Sequence, residues 1–394
     1  MNILNIPYFA GGLSHLIPLY VLHQKYLRNY NQINSKFLAV NSLQSFLQIQ
    51  GVDCVSMDYF SENQLQCLGG DYEKIAEYLL KKHKEAYKNV KPDLIFEDTS
   101  TFSPLIAEKN NVPRISIQRT GIFRSIPKRF RNKNHFHSLQ KGSFTKKSDF
   151  FTTTNYSQVS NLKNSELRFL NQYANPKVKV IPGIPAIECL PNNIPDRKSY
   201  FYSGPLIVMD KPSKKLSSRL DKFLETNNNK PIVFITTGTV DKTPIEKFIA
   251  YFLEKKYAVI TTCVCKINNI YKENVFFNNL FPLNYICSIS DLVVHQCGSG
   301  MYHYPIMNRV ATLTIGTQCY DREDVAQRLE QLGVSGHIPH PDDHPDYWNI
   351  FIELLEKFEK NTLIDYEIMD QLRNEIRETT LNFKMEKVIE YALA

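Results

Sequence analysis

The strongest constraint on this chain is a rhythm of apolar runs and amphipathic stretches that runs once, pauses and starts again. Residues 3–6, 37–41, 94–97, 114–118, 150–154 and 177–181 read as strands, with helix-patterned segments at 14–28 and 71–89. Residues 185–216 then turn rich in Pro, Asn, Ser and Lys, as a linker would. The rhythm resumes with strands at 231–236, 257–262, 274–277, 291–294 and 310–315, and helices at 244–255, 299–308, 323–332, 347–358 and 365–392. Strands alternating with helices predict βαβ units and mostly parallel sheets. The prediction is therefore α/β, two Rossmann-like domains facing a central cleft: 1–195, then 196–365, with a terminal helix over 366–394 packing back on the first. Ligands bind such sheets beyond the carboxyl ends of the strands.

Length agrees, since 394 residues suit two domains of about 150–200 residues each. The net charge of +7 is mild; it fits a protein that handles phosphates and does not demand a nucleic acid. Eight cysteines are scattered without a CxxC pair, which predicts free thiols in a reducing compartment. Neither a signal peptide nor a run of about 20 apolar residues is visible, so the cytoplasm is the expected location.

In the first half, Ser14-His15-Leu16-Ile17-Pro18 follows the first strand and a loop with Gly11-Gly12. That places His15 on the first turn of a helix at the cleft edge. A neutral imidazole there can take a proton from a hydroxyl near neutral pH. Asp98, at the end of the strand that begins after Pro92-Asp93, is the candidate to orient it. Glu97 should face the other side of that strand, and Asp93 sits at its wrong end. The plainer readings are a surface histidine and a helix-capping aspartate.

The second half carries Asp291-Leu292-Val293-Val294-His295-Gln296-Cys297-Gly298-Ser299-Gly300-Met301. It reads as a buried strand, a small-residue turn and a helix start. Gly298 and Gly300 let backbone approach a ligand, Ser299 is a natural cap, and free N–H groups there suit a diphosphate. His295 or Gln296 can donate to phosphate oxygens. Thr237, Gly238 and Thr239, after the first strand of this half, reach the same edge. Asp321 is a candidate for sugar hydroxyls and Arg322 for a phosphate.

Together these segments resemble the GT-B glycosyltransferases that use nucleotide sugars, especially the inverting plant, macrolide and glycopeptide-antibiotic enzymes. The resemblance is strongest from about Val275 to Val334, where Phe281-Pro282, the strand at 291–294, His295 to Met301 and Asp321 fall in the family's order. It implies a nucleotide-sugar donor (UDP or dTDP), a small-molecule hydroxyl acceptor, His15 as general base with Asp98 behind it, inversion at the anomeric carbon, and no metal or cofactor. Phe281 joins the donor residues on this basis. Leu280 and Leu283 stand where the family often has Trp and Gln, so recognition of the base is altered. The family's phosphate His aligns with Gln296.

Residues 119–147 are basic, with aromatics interleaved. In the family's layout they lie near the acceptor, so Gly12 and Phe123 are acceptor candidates. The segment also suits peripheral contact with an anionic membrane; no nucleic-acid motif accompanies it. His337, His340, Asp342, Asp343 and His344 resemble a metal cluster but read better as a polar surface turn. The rival functions are a non-catalytic GT-B helper that activates a partner, a transferase acting on a membrane lipid, and a sugar-nucleotide epimerase, which would need more carboxylates than the sequence places.

Overall fold

A computed structural model describes residues 1–8, 13–28, 30, 32–58, 72–98, 100, 102–120, 177–190, 196–237, 244–264, 268–298, 300–317, 320–342 and 344–394; the side chains of 72–76, 105, 320 and 321 fall outside the description. The chain divides into two compact units, Met1–Ile207 with Thr379–Ala394, and Val208–Glu378.

The first unit is built on a seven-stranded sheet of β1 (Asn2–Ile6), β2 (Asn34–Val40), β3 (Cys54–Met57), β4 (Leu94–Asp98), β5 (Arg114–Ile117), β6 (Val178–Ile181) and β7 (Tyr200–Tyr202). Its order is β3-β2-β1-β4-β5-β6-β7, with every pair parallel. α1 (Leu13–Leu22) follows β1 and passes into a π-helical turn at His23–Leu27. α2 (Asn41–Ile49), α3 (Tyr72–Val90) and α4 (Ser103–Lys109) complete the described helices of its N-terminal part. Leu4, Ile6, Leu38, Val40 and Ile95 of the sheet pack on Leu79, Ala86 and Val90 of α3. Burying each such aliphatic side chain is worth about 1.5–3 kcal/mol.

The second unit repeats the plan with β8 (Ile232–Ile235), β9 (Ala258–Thr261), β10 (Val275–Phe277), β11 (Leu292–His295), β12 (Ala311–Ile315) and β13 (Gly336–Ile338). The order is β10-β9-β8-β11-β12-β13, again parallel throughout. Its described helices begin with α5 (Lys214–Thr226), α6 (Ile245–Glu254), α7 (Leu283–Ser288) and α8 (His303–Asn308). α9 (Tyr320–Gln331), α10 (Tyr347–Glu359) and α11 (Tyr366–Asn382) follow. Phe248 and Phe252 of α6 and Phe351 of α10 cover Val233, Ile235, Val259, Leu292 and Val294.

Several elements differ from the sequence-based expectation. The strand expected at 150–154 lies outside the described residues. α5 occupies part of the presumed linker: Ser213 caps it by accepting the Leu216 N–H, and only Leu220 and Phe223 are buried, so its apolar stripe is narrow. The helix expected over 299–308 begins only at His303. The long terminal helix is two: α11 ends at Asn382 and α12 (Met385–Leu393) follows. α12 and the chain before it belong to the first unit, with Phe383 against Tyr26 and Tyr391 against Phe201, ring centroids 5.2 and 5.9 Å apart.

Gly204, near the end of the first unit, has φ +67°, and a Cβ there would run into the Thr380 side chain. Gly204→Ala is therefore expected to cost about 2–4 kcal/mol, from left-handed strain and overpacking together. A thermal unfolding midpoint unchanged from the parent would contradict this close approach.

Candidate active site

In both sheets the first strand of the unit lies beside the fourth, so the connections after these two strands leave in opposite directions. Their carboxyl ends form the crevice where ligands of open parallel sheets bind. In the first unit those ends carry His15 and Asp98. His15 sits on the first turn of α1, and its Nδ1 is 2.8 Å from Asp98 Oδ1. The Asp98 side chain is fully buried, while that of His15 is 22% exposed. Tyr8, beyond β1, meets the imidazole edge-on at 5.3 Å between centroids.

A third residue completes the group. Arg119 donates from Nη1 to Asp98 Oδ1 at 2.7 Å and from Nη2 to Oδ2 at 2.9 Å. Sheet register explains the contact. Asp98 pairs with Ile117 across β4 and β5, and Arg119, two residues on, points to the same face. Alternation also sends Glu97 to the opposite face, where it accepts from Arg114 and Ser103. Asp93, at the start of β4, accepts the Asn2 N–H at 2.7 Å, far from His15 along the strand. Arg119 opens the basic run at 119–147, yet it is buried, 5% exposed.

Burial alone would push the Asp98 carboxyl up. The charges of Arg119 and His15, with the hydrogen bonds both donate, outweigh it and hold the carboxyl at about 2. Asp98 is therefore an anion at any working pH. With that anion accepting at Nδ1, the neutral imidazole carries its proton on Nδ1 and leaves Nε2 as the basic nitrogen.

In the second unit, the carboxyl ends of β8 and β11 carry the other predicted residues. His295 closes β11 and is fully buried. Its Nδ1 accepts the Cys297 N–H at 2.9 Å, and burial holds its pKa down at about 3. Cys297 adopts φ +50°, which curls the backbone back onto the imidazole. His295 thus braces the turn from inside. Gln296 is also buried. Gly300 has φ +91°, a conformation that favours glycine. At Gly298 an added Cβ would meet no atom within 4 Å, so the backbone there borders open space. The helix whose start was expected to offer an anion site begins only at His303.

Thr237 lies past β8, its hydroxyl 3.3 Å from Cys263 Sγ. β9 ends at Thr261, and Cys263 sits two residues beyond it. Phe281 is a core residue: its ring packs against Phe234 and Phe276, centroids 5.9 and 6.0 Å away. Leu280 is 67% exposed. Asp321 falls in the first turn of α9, its side chain outside the description, and Arg322 is half-buried. Gly12, Phe123, Gly238, Thr239, Ser299 and the basic residues from 121 to 147 lie outside the described residues. His337, expected on a surface turn, is a residue of β13. It is buried against Thr314 and pairs with Glu323 at 3.3 Å. His340 is buried too. Among the described residues, no group of three or more His, Cys, Asp and Glu side chains is placed to hold a metal, and no helix is long and apolar enough to cross a membrane.

Asp98→Asn would leave the Arg119 guanidinium buried without its counter-charge. Stability is expected to fall by about 3–5 kcal/mol at pH 7, read from the urea midpoint. The sign of the pH dependence follows from the depressed carboxyl, whose unfolded value is near 3.9. Its stabilisation is present above about pH 4 and is lost as pH falls through about 2. The deficit of the variant should shrink over that window; a deficit independent of pH would contradict the assignment.

No family model matches the sequence, and no curated relative matches it. Solved structures do. The spinosyn forosaminyltransferase SpnP is 14% identical over all of both chains, with a TM-score of 0.69. Medicago truncatula UGT71G1, complexed with UDP-glucose, is 12% identical over 99% of this chain and 98% of that one, with a TM-score of 0.71. The spinosyn rhamnosyltransferase SpnG, complexed with thymidine diphosphate, is 13% identical over 99% of this chain and all of its own, with a TM-score of 0.64. At these identities the likeness is one of architecture: the chain has the GT-B fold, two Rossmann-like sheets flanked by helices.

Proposed function

We propose that the protein is an inverting glycosyltransferase, moving a sugar from a nucleotide diphosphate, UDP or dTDP, onto a hydroxyl of a small-molecule acceptor. The observation that carries this reading is the pairing of His15 with a buried, permanently ionised Asp98 at the crevice of the first sheet. Nε2 of His15 takes the acceptor proton as the hydroxyl oxygen attacks the anomeric carbon. The bond from that carbon to the diphosphate oxygen breaks, and the diphosphate leaves with the electron pair. Asp98 holds the imidazole in its tautomer and stabilises the imidazolium that forms. The turn after β11, opened by Gly298 and Gly300, suits the leaving diphosphate, because preorganised N–H donors oppose the charge that builds there. Neighbours of the same fold bind UDP-glucose and thymidine diphosphate, which supports this class of donor.

A second reading, a non-catalytic helper of the same fold, draws on the burial of both His295 and Gln296, side chains expected to touch the donor. Transfer from UDP- and dTDP-sugars to hydroxylated acceptors, followed by mass spectrometry, separates the two. His15→Ala is expected to slow transfer by about 10²–10⁴-fold with the donor Kd unchanged. Undiminished transfer by that variant would remove His15 from the mechanism.

A further inference from the structure

We propose that Arg119 is a positioning residue that sets the basicity of His15 by gripping Asp98 and the backbone beside His15 at once. Its catalytic consequence rests on the reading of His15 as base; its electrostatic content does not.

Asp98 Oδ1 is shared: it lies 2.8 Å from His15 Nδ1 and 2.7 Å from Arg119 Nη1, while Oδ2 accepts from Nη2 alone of these two residues. The second grip follows from Pro18. A proline within a helix has no N–H to give to the carbonyl four residues back; here that carbonyl belongs to Ser14, adjacent to His15. Arg119 Nη2 donates to the Ser14 oxygen at 3.3 Å. One planar, forked cation therefore ties the end of β4 to the first turn of α1. A single-point cation could not reproduce that geometry.

The charge consequence has a definite sign. The titratable and charged groups facing His15 among the described residues are Asp98 from β4, Arg119 beyond β5 and the Tyr8 ring beyond β1. Glu97 and Arg114 pair with each other on the opposite face. Asp98 favours the imidazolium, whereas Arg119 disfavours it, both by repulsion and by drawing on the oxygen that His15 uses. Removing the Arg119 charge is therefore expected to favour the imidazolium.

The test is an NMR titration of the full-length protein with isotope-labelled histidine, the His15 signal being the one lost in His15→Ala. No donor or acceptor is needed, so the result stands whether or not transfer is observed. Arg119→Met is expected to raise the His15 midpoint by about one pH unit and to move the acid limb of the pH–rate profile upward by the same amount. An unchanged midpoint in folded Arg119→Met overturns the proposal. Arg119→Lys, which keeps the charge and loses the fork, provides the second reading should the methionine variant not fold. Its midpoint should stay near the parent's while transfer slows by about tenfold at all pH values, with KM unchanged; a parental rate overturns the positioning role. Undiminished transfer by His15→Ala would instead defeat the base assignment, leaving the titration shift to be judged separately.

Discussion

The first unit's site depends on one ionised carboxylate buried beneath the protein surface. An unpaired charge in such a place is costly enough that a protein ordinarily neutralises it. Asp98 remains an anion because two hydrogen-bond donors converge on it from different elements, the Arg119 guanidinium from beyond β5 and the His15 imidazole from α1. Each partner constrains the other. The fork of Arg119 fixes the plane of the carboxylate, and the carboxylate then fixes the imidazole. The usual warning that a buried ion pair adds little net stability does not weaken this account. Here the gain is orientation, and the cost of breaking the group is what keeps it intact.

The two sheets solve one topological problem twice. Strand orders β3-β2-β1-β4-β5-β6-β7 and β10-β9-β8-β11-β12-β13 both place the reversal beside the first strand of the unit. The first unit fills that crevice with titratable side chains. The second builds a turn of unusual backbone instead, with Cys297 and Gly300 at positive φ and a neutral, enclosed His295 bracing it. The first crevice therefore presents titratable side chains and the second a backbone surface.

Much of this was legible in the sequence, and for identifiable reasons. Strands buried on both faces are continuous apolar runs, so β1, β4, β8, β11 and β12 stand out, and residues just beyond them are the ones a crevice exposes. That logic reaches His15 and Asp98 directly. It misses Arg119, which begins a run of basic residues and looks like solvated surface. Only the adjacency of β4 and β5, together with the alternation of side chains, turns it inward. The same limit explains Phe281 and His295: motif position does not reveal that a side chain is buried. α5 was hidden because two buried residues make a weak helical stripe, and β13 because its three residues are followed by a Pro-rich turn.

The central claim is that a nucleotide diphosphate is held at the turn after β11, where Gly298 borders open space. Calorimetric titration of the whole protein with UDP and dTDP tests it most directly, with Gly298→Ala as the comparison, since a methyl there meets no protein atom. The account predicts saturable one-to-one binding of one nucleotide and at least a tenfold weaker Kd, about 1.4 kcal/mol, in a variant of unchanged thermal stability. Absence of binding by folded protein, or equal binding by both proteins, would contradict it.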